Sequence, residues 1–287
     1  MKASISFIIP VYNERNSIEN TIKETRKILR KSGRKFQIIV VNDGSDDETE
    51  KILENIKNIE VIDHSVNRGY GAALKSGIKN ADGDWIAIVD ADQTYPIDRF
   101  IDMFKEMESA DMVIAARTGK KVSILFFRQI GKWILKTLSN FLTNQKIADL
   151  NSGMRVFKKE FAIRFLKLFP DGFSFTTTIT IAALCNGYSV KYVSINYFKR
   201  KGKSTIHPIK DFIGFFQLII RLVLYFKPLN VFFPVSIVFF LIGFSKMLVD
   251  AIKLSHFGIG GVALVLLSIQ ILFLGLLADL IITRSDL

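Results

Sequence analysis

The chain of 287 residues is poor in the side chains that build disulfides and imidazole-rich metal sites. A single cysteine, Cys185, excludes an intramolecular disulfide and fits a reducing compartment. The three histidines, His64, His207 and His256, are scattered and form no metal-ligand pattern. Carboxylate and cationic side chains are therefore the more informative groups for function.

Long uncharged stretches are missing from most of the chain, including its start, where Ser4 to Pro10 has the pattern of a first strand. We therefore expect no cleavable signal peptide and a catalytic part in the cytosol. Two uncharged stretches do occur later, Pro228 to Ser245 and Phe257 to Ala278. Each reaches roughly the 20 residues that a membrane-spanning helix needs. They predict a transmembrane hairpin joined by a polar turn around Asp250 to His256.

Acidic residues are outnumbered, with 27 Asp and Glu against 39 Lys and Arg, giving a formal net charge of +12. The basic residues concentrate beside apolar and aromatic ones near the two spans, which favours anionic lipid and phosphate ligands over nucleic acid. Basic residues crowd the approach to the first span and Arg284 follows the second, whereas the turn offers only Lys253 and His256. This asymmetry predicts an integral membrane protein with both termini in the cytosol, in the plasma membrane of a prokaryote.

Short apolar runs alternate with amphipathic stretches up to about Ala116, which predicts an α/β fold with a mostly parallel sheet covered by helices. The predicted strands are Ile5 to Pro10, Phe36 to Val41, Glu60 to Ile62, Trp85 to Val89 and Met112 to Ala115. In an open α/β sheet, ligands bind beyond the carboxyl ends of the strands. We therefore expect the functional residues among the polar clusters that follow these strands.

Two carboxylates follow the fourth predicted strand in the sequence Asp90-Ala91-Asp92. Side chains two residues apart on a strand face the same way, so these like charges need a cation or strong donors. Oxygen ligands favour Mg²⁺ or Mn²⁺, and such an ion usually completes its shell with substrate phosphates. Acidic clusters also follow the first strand, at Glu14, and the second, at Asp43. Together the clusters predict a site for a phosphorylated donor at one edge of the sheet.

These segments, in this order and spacing, resemble family 2 glycosyltransferases of the GT-A fold. The subgroup that they most resemble is the polyprenyl-phosphate hexose synthases, such as the dolichyl-phosphate mannose synthases. The motifs that carry the resemblance are Pro10-Val11-Tyr12-Asn13-Glu14, Val41-Asn42-Asp43-Gly44-Ser45, Asp90-Ala91-Asp92 with Tyr95-Pro96, Asn151-Ser152-Gly153-Met154-Arg155, and Arg200-Lys201-Gly202-Lys203-Ser204. The resemblance implies a Rossmann-like GT-A domain that binds a nucleotide sugar.

The resemblance also implies roles for individual residues at the donor end. The nucleoside pocket would be lined by Pro10, Tyr12, Glu14 and Asp43, with Asp43 addressing the base. A carboxylate suits that task because it accepts hydrogen bonds from the N–H groups of guanine or uracil.

The metal would be bound directly by Asp92, with Asp90 supporting it or contacting the ribose. The family commonly has a glutamine where this chain has Thr94, so Gln93 stands one place early as a metal ligand.

A lipid phosphate acceptor would need cations rather than a general base. Its second pKa is about 6, so the attacking oxygen is already largely anionic at neutral pH and needs positioning. The candidate phosphate ligands are Arg117, Arg128, Arg155, Arg200 and Lys203. We expect Arg117 and Arg155 to act with Asp92 and Asp149 in catalysis, where Asp149 either orients an arginine or acts as a base.

Two further segments mix aromatic and basic residues, Val122 to Leu142 and Phe212 to Phe226. They predict amphipathic helices at the membrane surface, with packing against the sheet as the alternative. The predicted organisation is a cytosolic catalytic domain over 1–206, a juxtamembrane amphipathic helix over 207–227 and a transmembrane hairpin over 228–283.

The sequence thus predicts an inverting, Mg²⁺- or Mn²⁺-dependent glycosyltransferase acting on a polyprenyl phosphate, dolichyl or undecaprenyl, in cell-envelope or protein glycosylation. Mannose from GDP-mannose is the favoured donor, followed by glucose from UDP-glucose. The alternatives are transfer to another lipid or glycan hydroxyl and a catalytically silent membrane scaffold. Homo-oligomerisation stays open, because Gly258, Gly260 and Gly261 would allow close helix packing.

Overall fold

The structure is a computed structural model that describes residues 3–119, 137, 139–140, 143–172, 174–198, 218, 220–254 and 256–284. Its central element is a sheet of seven strands in the order β3-β2-β1-β4-β6-β5-β7. The strands are β1 (Ile5–Val11), β2 (Phe36–Asn42), β3 (Glu60–Asp63), β4 (Trp85–Ile88), β5 (Met112–Ala116), β6 (Arg155–Lys158) and β7 (Val190–Ser194). The α/β architecture and the five strands predicted from the sequence are confirmed, each strand within one residue.

One strand runs against the others. Strand β6 pairs antiparallel with both β4 and β5, whereas the other neighbouring pairs are parallel. The amino end of β6, at Arg155, therefore lies at the same sheet edge as the carboxyl ends of β1, β2, β4 and β5. Residue Arg155 stands opposite Ile88 on one side and Ile114 on the other. The polar clusters predicted to meet at one edge do so, joined there by the start of β6.

Helices cover both faces of the sheet. They are α1 (Ile18–Ser32), α2 (Thr49–Glu54), α3 (Tyr70–Lys79), α4 (Phe100–Glu106), α5 (Lys159–Arg164) and α6 (Phe175–Cys185). One apolar core joins α1 and α4 to the sheet, and a second joins α3, α5 and α6 to its other face. Helix α1 has its apolar residues at helical spacing and ends at Gly33, whose φ of 63° is the left-handed conformation that glycine adopts readily.

Two long apolar helices end the described chain, α7 (Leu229–Leu254) and α8 (Ile259–Arg284). Their spanning segments have mean hydropathies of 2.1 and 2.5, and little of either is buried, so both are long and apolar enough to cross a membrane. The polar turn is shorter than predicted, because Asp250 lies within α7 and pairs with Lys246 at 3.1 Å.

The glycines of this hairpin serve its own packing. A side chain on Gly261 would meet Met247 at 2.6 Å and the Gly243 carbonyl at 3.2 Å. A side chain on Gly258 would meet the Asp250 carboxylate at 2.1 Å. Both positions face the partner helix of the hairpin, so their small size explains the close approach of α7 and α8.

The helical turns at 220–226 connect the hairpin to the soluble domain. Here Leu222 and Val223 are buried against Ile181 of α6, and Val231 of α7 joins the same apolar cluster. The end of the predicted segment Phe212 to Phe226 thus packs against the domain. The rest of that segment, most of Val122 to Leu142 and the predicted boundary at 206 lie outside the described residues.

Candidate active site

The loops after β1 and β2 are tied to each other at the carboxyl edge. The Asn13 amide N–H donates to the Ser45 hydroxyl at 3.1 Å, and the Asn13 side chain donates to Asp46 at 2.6 Å. Residue Asn13 has a φ of 55°, a left-handed conformation that asparagine tolerates. Between these loops and the strand end, Tyr12 is 45% exposed, which places an aromatic ring at the surface of the edge.

Two residues predicted for the donor pocket have other surroundings. Residue Pro10 is buried within β1 opposite Val41, so it supports the strand and does not line an open pocket. Residue Glu14 accepts a hydrogen bond from the Ser17 hydroxyl at 2.8 Å, just before α1. Of the three residues of the first motif that were predicted to line the pocket, Tyr12 is therefore the exposed one.

The carboxylate of Asp43 is turned into the protein and is 3% exposed. One oxygen accepts the Arg68 amide N–H at 2.9 Å and lies 2.7 Å from His64 Nδ1, and the other accepts the Gly69 amide N–H at 2.8 Å. Such a set of donors occupies most of the acceptor capacity of a carboxylate. The contact of Asp43 with a nucleobase stays a prediction, and in the structure this side chain holds the loop that opens α3.

That loop is confined from its other side by residues 170–172. Residue Gly69 has a φ of 100°, and a side chain on it would meet the Asp171 carbonyl at 2.7 Å. The same carbonyl accepts the Ala72 amide N–H at 3.0 Å. The glycine positions of the segment therefore have a steric cause, and the start of α3 is fixed against the rest of the edge.

The paired carboxylates Asp90 and Asp92 follow β4 at the same edge, each partly buried. Residue Asp92 accepts the Thr94 amide N–H at 3.1 Å and the Thr94 hydroxyl at 2.7 Å through one oxygen. Residue Asp90 lies against Gly153, where an added side chain would approach its carboxylate oxygens to 2.5 and 2.7 Å. Burial, followed by the charge of Asp90, raises the pKa of Tyr70 well above its ordinary value. Asp92 is thus held by Thr94, and Asp90 is enclosed by Gly153.

These two carboxylates fit a divalent ion that arrives with a phosphorylated substrate. Within the described part of the chain, no group of three or more His, Cys, Asp and Glu side chains could hold a metal by itself. Two carboxylates are nevertheless the usual protein contribution to Mg²⁺ when phosphate oxygens complete its shell. Residue Gln93 is aimed elsewhere, because its amide donates to the Ser17 carbonyl at 3.1 Å. The oxygen ligands available to such an ion would therefore come from Asp90 and Asp92, and the side-chain amide of Gln93 is engaged with Ser17.

A cation and a carboxylate meet after β5. Both Asp149 oxygens are held by Arg117, through Nε at 2.7 Å and Nη2 at 2.9 Å, and the Arg117 amide N–H adds a third bond at 3.1 Å. Burial alone would raise the pKa of Asp149, but the hydrogen bonds and charge of Arg117 outweigh it and keep that pKa below its ordinary value. The guanidinium carbon lies 5.3 Å from the Tyr197 ring centroid. Of the two roles predicted for Asp149, orienting an arginine is the one displayed.

The guanidinium of Arg155 lies beneath the edge and is completely buried. It donates to the Ser152 carbonyl, to the Thr176 carbonyl at 3.0 Å and to the Thr180 hydroxyl at 3.0 Å. Burial lowers its pKa from the usual arginine value. A group so enclosed has no access to an acceptor phosphate, so its predicted role is replaced by that of joining the 152–153 turn to α6. The other predicted phosphate ligands, Arg128, Arg200 and Lys203, lie outside the described residues.

Three side chains of this edge were not predicted as functional. Residue Tyr95, which is 4% exposed, accepts the Gly153 amide N–H at 2.8 Å and packs edge-on against Tyr197 at 5.1 Å between ring centroids. Residue His64 follows β3 and contacts Asp43. The signal that could have found His64 is its position directly after β3, the same argument that located Asp90 and Asp92, whereas Tyr197 follows a strand that was not predicted from the sequence.

The chain matches two family models in different regions. The model described as "Glycosyl transferase family 2" matches residues 6–166, and that described as "GtrB C-terminal hairpin" matches residues 227–283. The first match covers the sheet and the carboxylate pair, and the second covers α7 and α8.

Several curated proteins are similar in sequence. An undecaprenyl-phosphate 4-deoxy-4-formamido-L-arabinose transferase of Proteus mirabilis is 29% identical over 160 residues, which are 54% of this chain and 49% of that protein. A prophage bactoprenol glucosyl transferase homolog of Escherichia coli is 30% identical over 172 residues, 58% of this chain and 56% of that protein. A dolichyl-phosphate beta-glucosyltransferase of Trichomonas vaginalis is 30% identical over 175 residues, 54% of this chain and 53% of that protein. The chain spans about half the length of these relatives.

Solved structures share the fold at lower identity. The structure of S. aureus TarS in complex with UDP-GlcNAc has a TM-score of 0.57 and 21% identity, covering 78% of this chain and 67% of that one. Glucosyl-3-phosphoglycerate synthase of Mycobacterium tuberculosis with Mn²⁺, UDP and glucosyl-3-phosphoglycerate has a TM-score of 0.57 and 21% identity, covering 77% of this chain and 79% of that one. Because the family match spans more than half of the chain and includes the carboxylate-bearing edge, this chain belongs to glycosyl transferase family 2.

Proposed function

We propose that this protein is a glycosyltransferase that moves a hexose from a nucleotide sugar to a polyprenyl phosphate at a membrane surface. The observation that carries the proposal is the meeting of a paired carboxylate and an oriented arginine at one sheet edge. The carboxylates Asp90 and Asp92 suit a metal-bound diphosphate, and Arg117 suits a second phosphate. Relatives with polyprenyl-phosphate sugar transferase names support the same reading.

At the donor end, Asp90 and Asp92 would hold Mg²⁺ or Mn²⁺ together with the diphosphate. The ion, when bound, supplies positive charge to the leaving diphosphate. The exposed ring of Tyr12 is available to the nucleoside, and the loop held by Asp43 borders the same region. This arrangement supports donor binding along the edge from β2 to β4.

At the acceptor end, Asp149 orients Arg117 so that it can bind the lipid phosphate. Its bonds to Asp149 use Nε and Nη2, and within the described residues no oxygen accepts from Nη1. Guanidinium N–H groups bind phosphate oxygens with defined geometry. With Asp149 on one side and Tyr197 on the other, the orientation of Arg117 is fixed before a ligand arrives. The cost of ordering this side chain on binding is thereby reduced.

The proposed reaction is a single displacement with inversion at the anomeric carbon. An oxygen of the lipid phosphate forms a bond to that carbon, while the bond to the diphosphate oxygen breaks and the nucleoside diphosphate leaves with the electron pair. No proton has to be removed from the nucleophile, because a phosphate monoester with a second pKa of about 6 is largely a dianion at neutral pH. The task of the chain is to align the two phosphates across the sugar.

A hydroxyl acceptor would require a general base. The carboxylate predicted for that role is Asp149, but both of its oxygens accept from Arg117. Its lowered pKa makes it a weak base. These features support a phosphate acceptor over a lipid or glycan hydroxyl.

The identity of the transferred sugar is inferred from the relatives. The similar proteins are named for transfer of glucose and of formamido-arabinose. We therefore place glucose from UDP-glucose ahead of mannose from GDP-mannose.

We also propose that the protein acts at the cytosolic face of a membrane. The hairpin of α7 and α8 would anchor the protein in the membrane with its soluble domain on the cytosolic face, where nucleotide sugars are found. The cluster of Leu222, Val223 and Ile181 connects the two parts.

A donor screen tests this function. The full chain, purified in detergent with undecaprenyl phosphate and either Mg²⁺ or Mn²⁺, is incubated with UDP-glucose, GDP-mannose or UDP-GlcNAc, and nucleoside diphosphate release is measured together with labelled lipid. We expect lipid labelling with UDP-glucose that is abolished by EDTA. Absence of labelled lipid with every nucleotide sugar, from a protein shown to be folded, would refute the proposal.

A further inference from the structure

We propose that His64 is a positioning residue for the nucleotide-sugar donor, acting through Asp43 on the loop that opens α3. The imidazole joins two groups: Nδ1 lies 2.7 Å from an Asp43 oxygen, and Nε2 lies 2.9 Å from the Ser76 hydroxyl. It thereby connects the end of β2, the end of β3 and helix α3. The inference rests on the proposed function, because it assigns a role within donor binding.

The hydrogen-bond roles of the imidazole follow from its partners. A carboxylate accepts only, and Asp43 also accepts from the Arg68 and Gly69 amides, so Nδ1 must carry the proton that it shares with Asp43. In the neutral ring, Nε2 then accepts from the Ser76 hydroxyl. Each atom in the hydrogen-bonded series Asp43–His64–Ser76 therefore either donates or accepts, and the Asp43 carboxylate is held in one orientation.

The effect of His64 on the donor site is transmitted by the loop backbone. If Asp43 rotates, the Arg68 and Gly69 amides lose their acceptor. The loop is then no longer held on the side that faces away from Asp171. The loop continues directly into Tyr70, the first residue of α3, and the Ala72 amide of that helix donates to the Asp171 carbonyl. The brace formed by His64, Asp43 and the two amides thus fixes the start of α3 at the edge that carries the carboxylate pair.

The same residue types could suggest nucleophilic catalysis by a Ser-His-Asp triad. Both the His64 imidazole and the Asp43 carboxylate have only 5% of their side-chain surface exposed. An imidazole so enclosed could not pass a proton to a leaving group or take one from water. The Arg68 and Gly69 amides would also have no purpose in such a triad, whereas the positioning role uses every bond in the cluster.

Two substitutions of His64 separate the bond from the bulk of the ring. In His64→Asn the side-chain amide nitrogen occupies the place of Nδ1, so the bond to Asp43 can persist. In His64→Gln the amide nitrogen reaches the place of Nε2, so that bond is lost. Loss of a hydrogen bond to a charged group should weaken binding by about tenfold.

The matched control lies at the opposite edge of the sheet. There the Ser6 hydroxyl donates to Gln37 at 2.6 Å and accepts the Gly83 amide N–H at 2.8 Å, in a buried cluster of comparable kind. Substitution Ser6→Ala should lower the melting temperature without a change in nucleotide binding. Substitution Ser76→Ala removes only the outer bond of His64 and should alter affinity by no more than about twofold.

The experiment measures calorimetric binding of UDP and GDP to the full chain in detergent with Mn²⁺, together with the KM for undecaprenyl phosphate. We expect His64→Gln to weaken nucleotide binding about tenfold with an unchanged acceptor KM, and His64→Asn to restore it to within about threefold of the parent protein. The inference is overturned if folded His64→Gln binds nucleotide as the parent does, or if His64→Asn is as weak as His64→Gln. Should His64→Gln fail to fold, weak binding by His64→Asn alone overturns it. A parent protein that binds neither nucleotide refutes the proposed function itself.

Discussion

The guanidinium group of Arg117 holds both carboxylate oxygens of Asp149, at 2.7 and 2.9 Å, while its face lies against the ring of Tyr197. The pair follows β5 at the edge where Asp90 and Asp92 follow β4. Its side chains are 28% and 11% exposed, so the ion pair is largely shielded from solvent. A cation oriented in this way can recognise a phosphate with little further ordering.

Substitution Arg117→Lys tests that role. Lysine keeps the charge but cannot bind Asp149 in a two-point contact while also facing Tyr197. We expect kcat/KM for the lipid phosphate to fall about 100-fold, the size of effect seen when one preorganised donor is lost, with nucleotide affinity unchanged. Substitution Arg164→Lys, at the exposed end of α5, is the control and should leave turnover unaffected. Equal loss of donor and acceptor binding would show that Arg117 acts on the fold of the edge instead.

The pH dependence distinguishes a phosphate nucleophile from a base-dependent one. Because Arg117 lowers the pKa of Asp149, the stability that the pair contributes is present above the unfolded value of 3.8 and is lost only as pH falls through the lower folded value. Asp149 is therefore ionised throughout pH 5 to 8. Activity should fall below about pH 6 because the acceptor phosphate gains a proton. Initial rates across this range, with Asp149→Asn as comparison, should give the same acidic limb, and its disappearance in the variant would identify Asp149 as the titrating group.

Substitution Gly153→Ala should specifically impair the proposed metal site at Asp90. The new methyl group would stand 2.5 Å from an Asp90 oxygen, closer than a real contact allows, so the carboxylate must move. We expect a raised Mn²⁺ concentration for half-maximal activity, measured by metal titration. The matched control is Gly172→Ala, because no atom lies within 4 Å of the added methyl group there. Equal metal dependence in the two variants would contradict the assignment of Asp90.

The hairpin offers a test of its packing. Substitution Gly261→Ala would bring a methyl group to 3.0 Å from the Met247 backbone nitrogen, which cannot yield as a side chain can. Substitution Gly260→Ala meets only the flexible end of Lys246, at 3.1 Å. We therefore expect Gly261→Ala to lower the melting temperature in detergent and Gly260→Ala to leave it within a degree or so. The opposite order would mean that α7 and α8 pack through another face.

Strand alternation and sheet topology account for much that was predictable. The location of Asp90 and Asp92 followed from their place after an apolar strand, and the hairpin followed from two uncharged stretches. The buried surroundings of Asp43 and Arg155 were not predictable from the sequence, for a common reason. A position at the functional edge does not tell whether a polar side chain faces the ligand or the interior, and that is decided by partners distant in sequence, His64 for Asp43 and Thr180 for Arg155.

Strands β6 and β7 and helix α6 were not predicted either. Strand β6 has four residues and begins with an arginine, so it lacks the apolar run that identifies a buried strand. Helix α6 contains a run of threonines, which have low helix propensity, and it is stabilised by burial on nearly all sides. Tertiary packing, rather than local sequence preference, determines these elements.

The most direct test of the account compares two acceptors that differ in a single group. Purified full-length protein is given UDP-glucose, Mn²⁺ and either undecaprenyl phosphate or undecaprenol, and labelled lipid is quantified for the parent protein and for Asp92→Ala. We predict glucosyl transfer to the phosphate only, and its loss in Asp92→Ala without loss of the folded protein. Transfer to undecaprenol at a comparable rate, or full activity of folded Asp92→Ala, would contradict the account.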